Sequence, residues 1–475
     1  MTKTPESVKR MLPWLVAVAF FMEALDTTIL NTAVPVIAKG LGVIPLSMKS
    51  ALSSYTLSLA VFIPVSSWIT DRFGTRRVFS TAIGIFTLGS LLCGISNSIH
   101  LLVFCRVLQG CGGAMMVPVG RFTLVRTFRK SELIQAMSFV AIPALIGPLL
   151  GPLAGGFIVG MMNWRMIFFV NIPIGILGLF LVLKHLPDYR ASKVDKLDII
   201  GLILFGSGIA LLSYVLEVFG EHSLSMGEVA GLFSLSLFLI AGYVVHATQV
   251  ARPILRLSLM RVRTFRTSIA GNLISRLGMG GMPFLLPLMY QVGLGYSPLQ
   301  SGLLIVPQSL AAMWLKTKVG PILTRFGYRH VLLTNTLIIG ALMALFATIR
   351  EGTPAWLILL QSATYGFFSS LQYTCMNTLV YADIEDSDMS MASTIVSTAQ
   401  QLALSFGVAA ASLVTAYFLP ETSRSAAREM MHGMHEAFLT LGAFTALSAL
   451  VFRELRDSDG DNISHHHAAE EPASV

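Results

Sequence analysis

Long apolar runs alternate with short polar, mostly basic segments along the whole chain. Fourteen runs are long enough to cross a bilayer as helices, which takes about 20 residues each. The first six cover Leu12–Ile37, Ser50–Ile69, Val78–Ile95, Leu101–Val125, Ala136–Met161 and Ile167–Leu186. Two more cover Ile199–Phe219 and Val229–Ala247. The last six cover Ser268–Val292, Gly302–Leu323, Val331–Thr348, Ala355–Tyr381, Met391–Phe418 and Ala437–Phe452. The pattern predicts an all-α integral membrane protein with fourteen transmembrane helices.

Composition and charge sharpen this. Of 475 residues, 54% are hydrophobic and 12% charged, against roughly a quarter charged in soluble domains. This excludes a disordered chain and a secreted disulfide scaffold and argues against an ordinary soluble globule. Lysine and arginine mark cytoplasmic loops. With the N-terminus inside, inner segments hold 22 of them and outer loops 6, so both termini are expected in the cytoplasm. The net charge of +8 is dispersed in short clusters rather than gathered on one face, which argues against a nucleic-acid partner. Cys93, Cys105, Cys111 and Cys375 lie inside apolar runs without metal-ligand spacing, and no metal or cofactor is expected. The first run is too long for a cleavable signal peptide and carries carboxylates.

The stretch from Asp71 to Val78 returns from Thr324 to Val331. Arg72, Phe73, Gly74, Arg76 and Val78 recur as Arg325, Phe326, Gly327, Arg329 and Val331, all offset by 253. Each copy follows the second span of a six-span set. The organisation expected is an N-terminal six-helix bundle (1–187), a central two-helix insert with its loops (188–262), a C-terminal six-helix bundle (263–456) and a disordered acidic, His-bearing tail (457–475). Duplicated transporters place the substrate path at the repeat interface near the bilayer midplane.

Charges inside apolar runs cost about 2.5–3.5 kcal/mol each on insertion scales and are functional candidates. Glu23, Asp26, Thr27 and Asn31 fall within an arc of roughly 140° on a helix, so one polar face is expected, holding a proton or cation. Arg106, in the run Arg106–Ala114 that contains Gln109, needs a carboxylate, and Asp26 is the economical partner. Gly147, Gly151 and Gly155 form a small-residue stripe beside Pro148, Pro152 and Gly156, suited to close packing or bending. Arg276 stands 253 after Glu23 and could face it across a cavity. Tyr290, Gln308, Tyr365, Gln372 and Asn377 are candidate cavity linings, although helix-packing bonds explain each about as well.

These residues resemble a family. The run Leu25–Pro35 is similar to the first-helix motif of the fourteen-span drug/proton antiporters (EmrB/QacA type) of the major facilitator superfamily, with HsrA-like transporters nearest. Asp71–Arg77 resembles the loop motif between helices two and three. Arg106–Ala114 and Gly147–Gly156 resemble the proton-coupling and antiporter motifs, and Trp164, Arg165, Asn171, Pro173 and Gly175 fit the same group. The resemblance implies drug or metabolite efflux by alternating access, driven by the proton gradient without a cofactor. The resemblance assigns Asp26 and Arg106 to proton coupling, and the polar helix face adds Glu23 and Asn31 to the proton/substrate site. Asp71, Arg72, Gly74, Arg76 and Arg77 would form a cytoplasmic latch. Ser67 and Thr324 depart from the loop motif. The expected setting is the bacterial inner membrane, with lipid, protons and a small-molecule substrate as partners, accessory envelope proteins allowed, and a monomer. A proton-coupled metabolite transporter working in either direction shares most of these features, with the glycine-rich motif favouring export. A membrane sensor with a transporter fold would need a cytoplasmic domain larger than any inner segment.

Overall fold

The structure, a computed structural model, describes residues 6–191, 194–219, 224–419 and 427–464. Among the described residues it is helix and turn, without a β-strand. The first bundle comprises α1 (Glu6–Leu41), α2 (Lys49–Phe73), α3 (Thr75–Ile95), α4 (Ile99–Thr127), α5 (Lys130–Met161), α6 (Met166–Phe169) and α7 (Asn171–His185). The insert is α8 (Ile199–Phe219) and α9 (Met226–Gln249). Then follow α10 (Arg263–Met279), α11 (Met282–Leu288), α12 (Pro298–Leu315), α13 (Val319–Leu345), α14 (Ala355–Leu379), α15 (Met389–Tyr417), α16 (Ala427–Leu447), α17 (Ala449–Phe452) and the short α18 (Asp461–Ser464). With α6–α7, α10–α11 and α16–α17 taken as interrupted rods, every expected span but the tenth coincides with a helical rod. Among the described residues, ten helices are long and apolar enough to cross a membrane.

Local chemistry sets the breaks. Gly280, Gly281 and Pro283 separate α10 from α11, because proline removes a helical N–H and crowds the preceding turn. Gly74 (φ 90°, ψ 150°) separates α2 from α3, and Gly327 (φ 66°, ψ 164°) kinks α13. Both conformations are open to glycine and strained for other residues. The repeat at offset 253 is therefore a repeat of backbone geometry as well as of letters. The tenth span differs from expectation: α12 ends at Leu315, and Val319–Leu323 belongs to α13. Exposed Lys316 and Lys318 lie in a turn between two apolar stretches that hydropathy alone fuses.

The chain packs as two compact units, Met1–Ala210 with Ser297–Gly302, and Leu211–Tyr296 with Leu303–Val475. The core of unit 1 contains Val16, Phe20, Phe79, Phe86, Met116 and Val119. That of unit 2 contains Leu332, Cys375, Met376, Leu379 and Phe452. Phe104, Ile176, Phe180, Phe238 and Leu360 are more than half exposed, an apolar surface suited to lipid and costly in water. The segment read as a tail is seated on unit 2 through Ser464. Asp457 pairs with Arg329 at 2.8 Å, Asp459 pairs with Arg263, and Asn462 donates to the Ala382 carbonyl at 2.6 Å. Its acidic composition suggested disorder because the arginines it meets are remote in sequence. Residues 465–475, with the histidine tract, lie outside the described residues.

Candidate functional site

Unit 1 encloses a polar network in an otherwise apolar interior. Asp26 on α1 and Arg106 on α4 are each 1% exposed. Arg106 Nη1 donates to Asp26 Oδ2 at 2.6 Å and to Gln109 Oε1 at 2.7 Å. Asp26 Oδ1 accepts from Gln109 Nε2 and from Asn171 Nδ2, both at 2.8 Å. Ser90 Oγ on α3 accepts from the same two amides, at 2.8 and 3.3 Å. Arg106 Nε donates to the Ala51 carbonyl at 3.3 Å, and its guanidinium lies 4.2 Å from the centre of the Tyr55 ring. Five helices, α1, α2, α3, α4 and α7, thus converge on one carboxylate and one guanidinium. Charges this deep persist only when paired and hydrogen-bonded.

Glycines permit the convergence. A Cβ on Gly110 would lie 2.6 Å from Ser58 Cβ, and one on Gly112 2.7 Å from the Ala82 carbonyl oxygen. On Gly89 of α3 it would lie 2.8 Å from Gln109 Cα. The antiporter-like motif works in the same way. Added Cβ atoms on Gly147, Gly151 and Gly155 would lie 2.6, 2.1 and 2.5 Å from Ala24 Cβ, Thr28 Oγ1 and the Ile29 carbonyl oxygen. Gly156 meets Pro298 O at 2.4 Å in the same sense. Thr28 Oγ1 also reaches the Gly147 carbonyl at 3.3 Å, near Pro148. The stripe is the seam on which α1 lies against α5.

The single polar face expected on α1 divides in two. Asp26 turns into the bundle, while Glu23, Thr27 and Asn31 form a half-buried stripe four residues apart. Thr27 Oγ1 donates to the Glu23 carbonyl at 2.8 Å, and Asn31 Nδ2 to the Thr27 carbonyl at 3.4 Å. A separation of three residues leaves about 60° between Glu23 and Asp26, enough to place one inside the packed surface and one at its edge.

The loop motif clasps the chain that leaves α7. Thr75 Oγ1 donates to Pro187 O at 2.7 Å, and Arg76 Nε to Leu186 O at 2.6 Å. The Arg76 amide donates to Asp188 Oδ1 at 3.2 Å, and the Ala191 amide to the Asp71 carbonyl at 3.3 Å. Gly74 is required, since a Cβ there would lie 2.2 Å from Asp188 Oδ1. Asp71 is half-buried, and Arg72 and Arg77 are exposed.

Of the candidate cavity linings, Gln109 belongs to the Asp26 network instead. Tyr290, Tyr365 and Gln372 are enclosed in unit 2, at most 2% exposed, so they offer no surface to a cavity. Gln372 accepts from Asn335 Nδ2 and donates to Thr336 Oγ1, both at 2.7 Å, and the Tyr290 hydroxyl lies 3.3 Å from Ser362 Oγ. Asn377 is half-buried and accepts from Gln400 Nε2 at 2.9 Å. Half-buried Gln308 lends its backbone to a close crossing with Gly366, where a Cβ would lie 2.1 Å from Gln308 O. Arg276 is 7% exposed, donates from Nε to Asn272 Oδ1 at 2.9 Å, and lies 4.0 Å from the centre of the Tyr373 ring. Sequence reasoning missed Ser90 and Tyr55, which carry no charge or motif, and gave Asn171 no role. A search for uncharged polar residues in runs neighbouring the buried charges would have raised all three.

The family model described as Major Facilitator Superfamily matches residues 16–268 and 268–474. The chain is 38% identical over 464 residues to the "Putative multidrug resistance protein MdtD" of Klebsiella pneumoniae subsp. pneumoniae, covering 97% of this chain and 98% of that protein. It is 37% identical over 461 residues to the protein of the same name from Serratia proteamaculans, with 97% and 96% covered. Among solved structures, a bacterial homologue of the human lysosomal transporter Spinster, inward-facing and unoccupied, matches with TM-score 0.66 and 12% identity, covering 99% of this chain and all of that one. A D-xylose–proton symporter matches with TM-score 0.67 and 14% identity, covering 94% and 98%. At such identities the structural likeness speaks for the fold alone. The helical rods of the described residues, the duplicated glycine turn and these matches agree, and the chain belongs to the Major Facilitator Superfamily as a multi-pass membrane transporter.

Proposed function

We propose that this transporter is a proton-coupled antiporter that exports small organic compounds across the bacterial inner membrane by alternating access. The observation that carries the reading is the enclosed Asp26–Arg106 pair at 2.6 Å. Protonating Asp26 removes the Coulombic half of that pair. Arg106 keeps the Gln109 Oε1 and Ala51 O acceptors and the Tyr55 ring, so the guanidinium is held in both protonation states. A coupling element requires two arrangements, and in this reading the paired and the protonated network are those two.

Enclosure also refines the mechanism. Asp26 has no surface on which to meet a substrate in this conformer, so direct competition between proton and cargo at its carboxylate requires α1 or α4 to move. The half-buried stripe of Glu23, Thr27 and Asn31 lies on the same helix, and the glycine seam with α5 is the surface along which α1 would shift. The names of the relatives favour drug-like cargo and outward transport. The driving force suffices: one charge crossing 100 mV yields about 2.3 kcal/mol, and one pH unit adds about 1.4 kcal/mol. Together these sustain a gradient on the order of a few hundredfold per proton.

The test is substrate-driven proton flux in proteoliposomes, with a substrate found by comparing compound susceptibility of deletion and overexpressing cells. Asp26→Asn should insert normally and lose coupled flux. Flux at the wild-type rate in that variant would overturn the assignment.

A further inference from the structure

The two deeply placed arginines of the membrane helices are treated differently. Arg106 has a carboxylate, two further acceptors and an aromatic face. Arg276 on α10 is 7% exposed, yet its hydrogen bonding to described residues is a single bond from Nε to Asn272 Oδ1. Its face rests on Tyr373 of α14 at 4.0 Å. No described carboxylate of unit 2 pairs with it, and neither Nη has a hydrogen-bond partner among the described residues. Tyr373 is half-buried, and its hydroxyl likewise has no hydrogen-bond partner among the described residues. A cation at this depth is costly, and Asn272 and Tyr373 orient it without neutralising it.

The free edge dictates the ligand. With Nε committed to Asn272, the side-on approach through Nε and Nη2 is blocked. What remains is the end-on edge, two parallel N–H groups whose spacing matches the two oxygens of a carboxylate. The phenol can add a third donor. The guanidinium can only donate and carries a positive charge, so the site selects negative charge and repels a cation. We propose that Arg276 and Tyr373 form the binding site for the carboxylate of a small organic anion, and that such anions are the cargo. This rests on the export reading above and narrows it. It also gives transport a sign: exchanging one monovalent anion for one entering proton moves two charges the same way, so an interior-negative potential accelerates export.

Binding is tested on the full chain in nanodiscs with 2-naphthoate, glutarate, 2-naphthamide, tetraphenylphosphonium and chloride, by calorimetry and thermal unfolding. Expected are saturable binding of at least one carboxylate, none of the amide or the phosphonium, and no displacement by equimolar chloride. Arg276→Gln should weaken carboxylate binding about ten- to a hundredfold, and Arg276→Lys less, since it keeps the charge but loses the fork. Without ligand, Arg276→Gln should unfold at the wild-type temperature or above, because a cation without a counter-charge is removed. A merely structural arginine would instead lose stability without changing ligand binding. The proposal is overturned if neither carboxylate binds, if naphthamide binds as well as naphthoate, if equimolar chloride displaces the carboxylate, or if Arg276→Gln binds like the wild type. Arg276-dependent binding together with wild-type flux in Asp26→Asn would sink the proton-coupling reading and spare this site. Loss of flux in Asp26→Asn with carboxylate binding indifferent to residue 276 would do the reverse.

Discussion

Removing one member of the Asp26–Arg106 pair should harm the protein more than removing both. In Asp26→Asn, Oδ1 can keep its bonds from Gln109 and Asn171, but an amide NH2 replaces the oxygen that sits 2.6 Å from Arg106 Nη1. Donor then faces donor, and a guanidinium 1% exposed loses its counter-charge. Breaking a buried pair from one side costs about 3–5 kcal/mol. Arg106→Gln should cost a similar amount by stranding the carboxylate. The double variant Asp26→Asn/Arg106→Gln carries no buried charge and keeps the amide bonds to Oδ1. Neutral replacements of buried pairs are often harmless, so it should unfold within about 2 kcal/mol of the wild type. The assay is a double-mutant cycle of reversible SDS-induced unfolding in one detergent, run beside proton flux. Stability should return in the double variant while flux stays absent, separating the structural from the coupling role. Additive destabilisation, with the double variant as weak as the two single losses combined, would refute the reasoning.

Three further outcomes follow from local geometry. Gly155→Val should lower the unfolding temperature, with an overpacking cost of about 1–3 kcal/mol, because its Cβ would lie 2.5 Å from the Ile29 carbonyl oxygen. Gly160→Ala on the same helix, with nothing within 4 Å, should be silent. Gly74→Ala forces a side chain into φ 90° and against Asp188, a strain of order 1–3 kcal/mol, and should speed proteolysis within 186–195; an unchanged cleavage rate would count against the clasp. Glu132, at the start of α5, is held below its ordinary value of 4.5 first by the Lys9 ammonium and then by the Arg129 amide. A lowered carboxyl stabilises fully above pH 4.5 and ceases to do so as pH falls through its lowered value. Hydrogen exchange over residues 9–14, corrected for intrinsic rate, should therefore rise in acid and lose that step in Glu132→Gln.

Hydropathy located the rods because lipid-facing helices carry long apolar runs on every side. It failed at Lys316–Lys318, where a turn lies between two such runs and only the lysines mark it. The pairing of Asp26 with Arg106 was legible because a buried cation demands an anion and few exist in these runs. Dividing α1 between Asp26 and the Glu23 stripe was not legible, since 60° of rotation decides burial and only neighbouring helices fix the zero of that rotation. Gln109, Tyr290, Tyr365 and Gln372 were polar letters in apolar runs. Whether such a residue bonds a neighbouring helix or lines a cavity depends on contacts far off in sequence. Asn171 and Ser90 escaped for the same reason, as neutral donors recognised only once a carboxylate is seen beside them.

The most direct measurement of the central claim is infrared difference spectroscopy of the reconstituted protein between neutral and acid pH. The account predicts a protonated-carboxyl stretch that appears on acidification, vanishes in Asp26→Asn and survives in Glu23→Gln. A band that survives in Asp26→Asn, or no band across the pH range in which flux is seen, would contradict it.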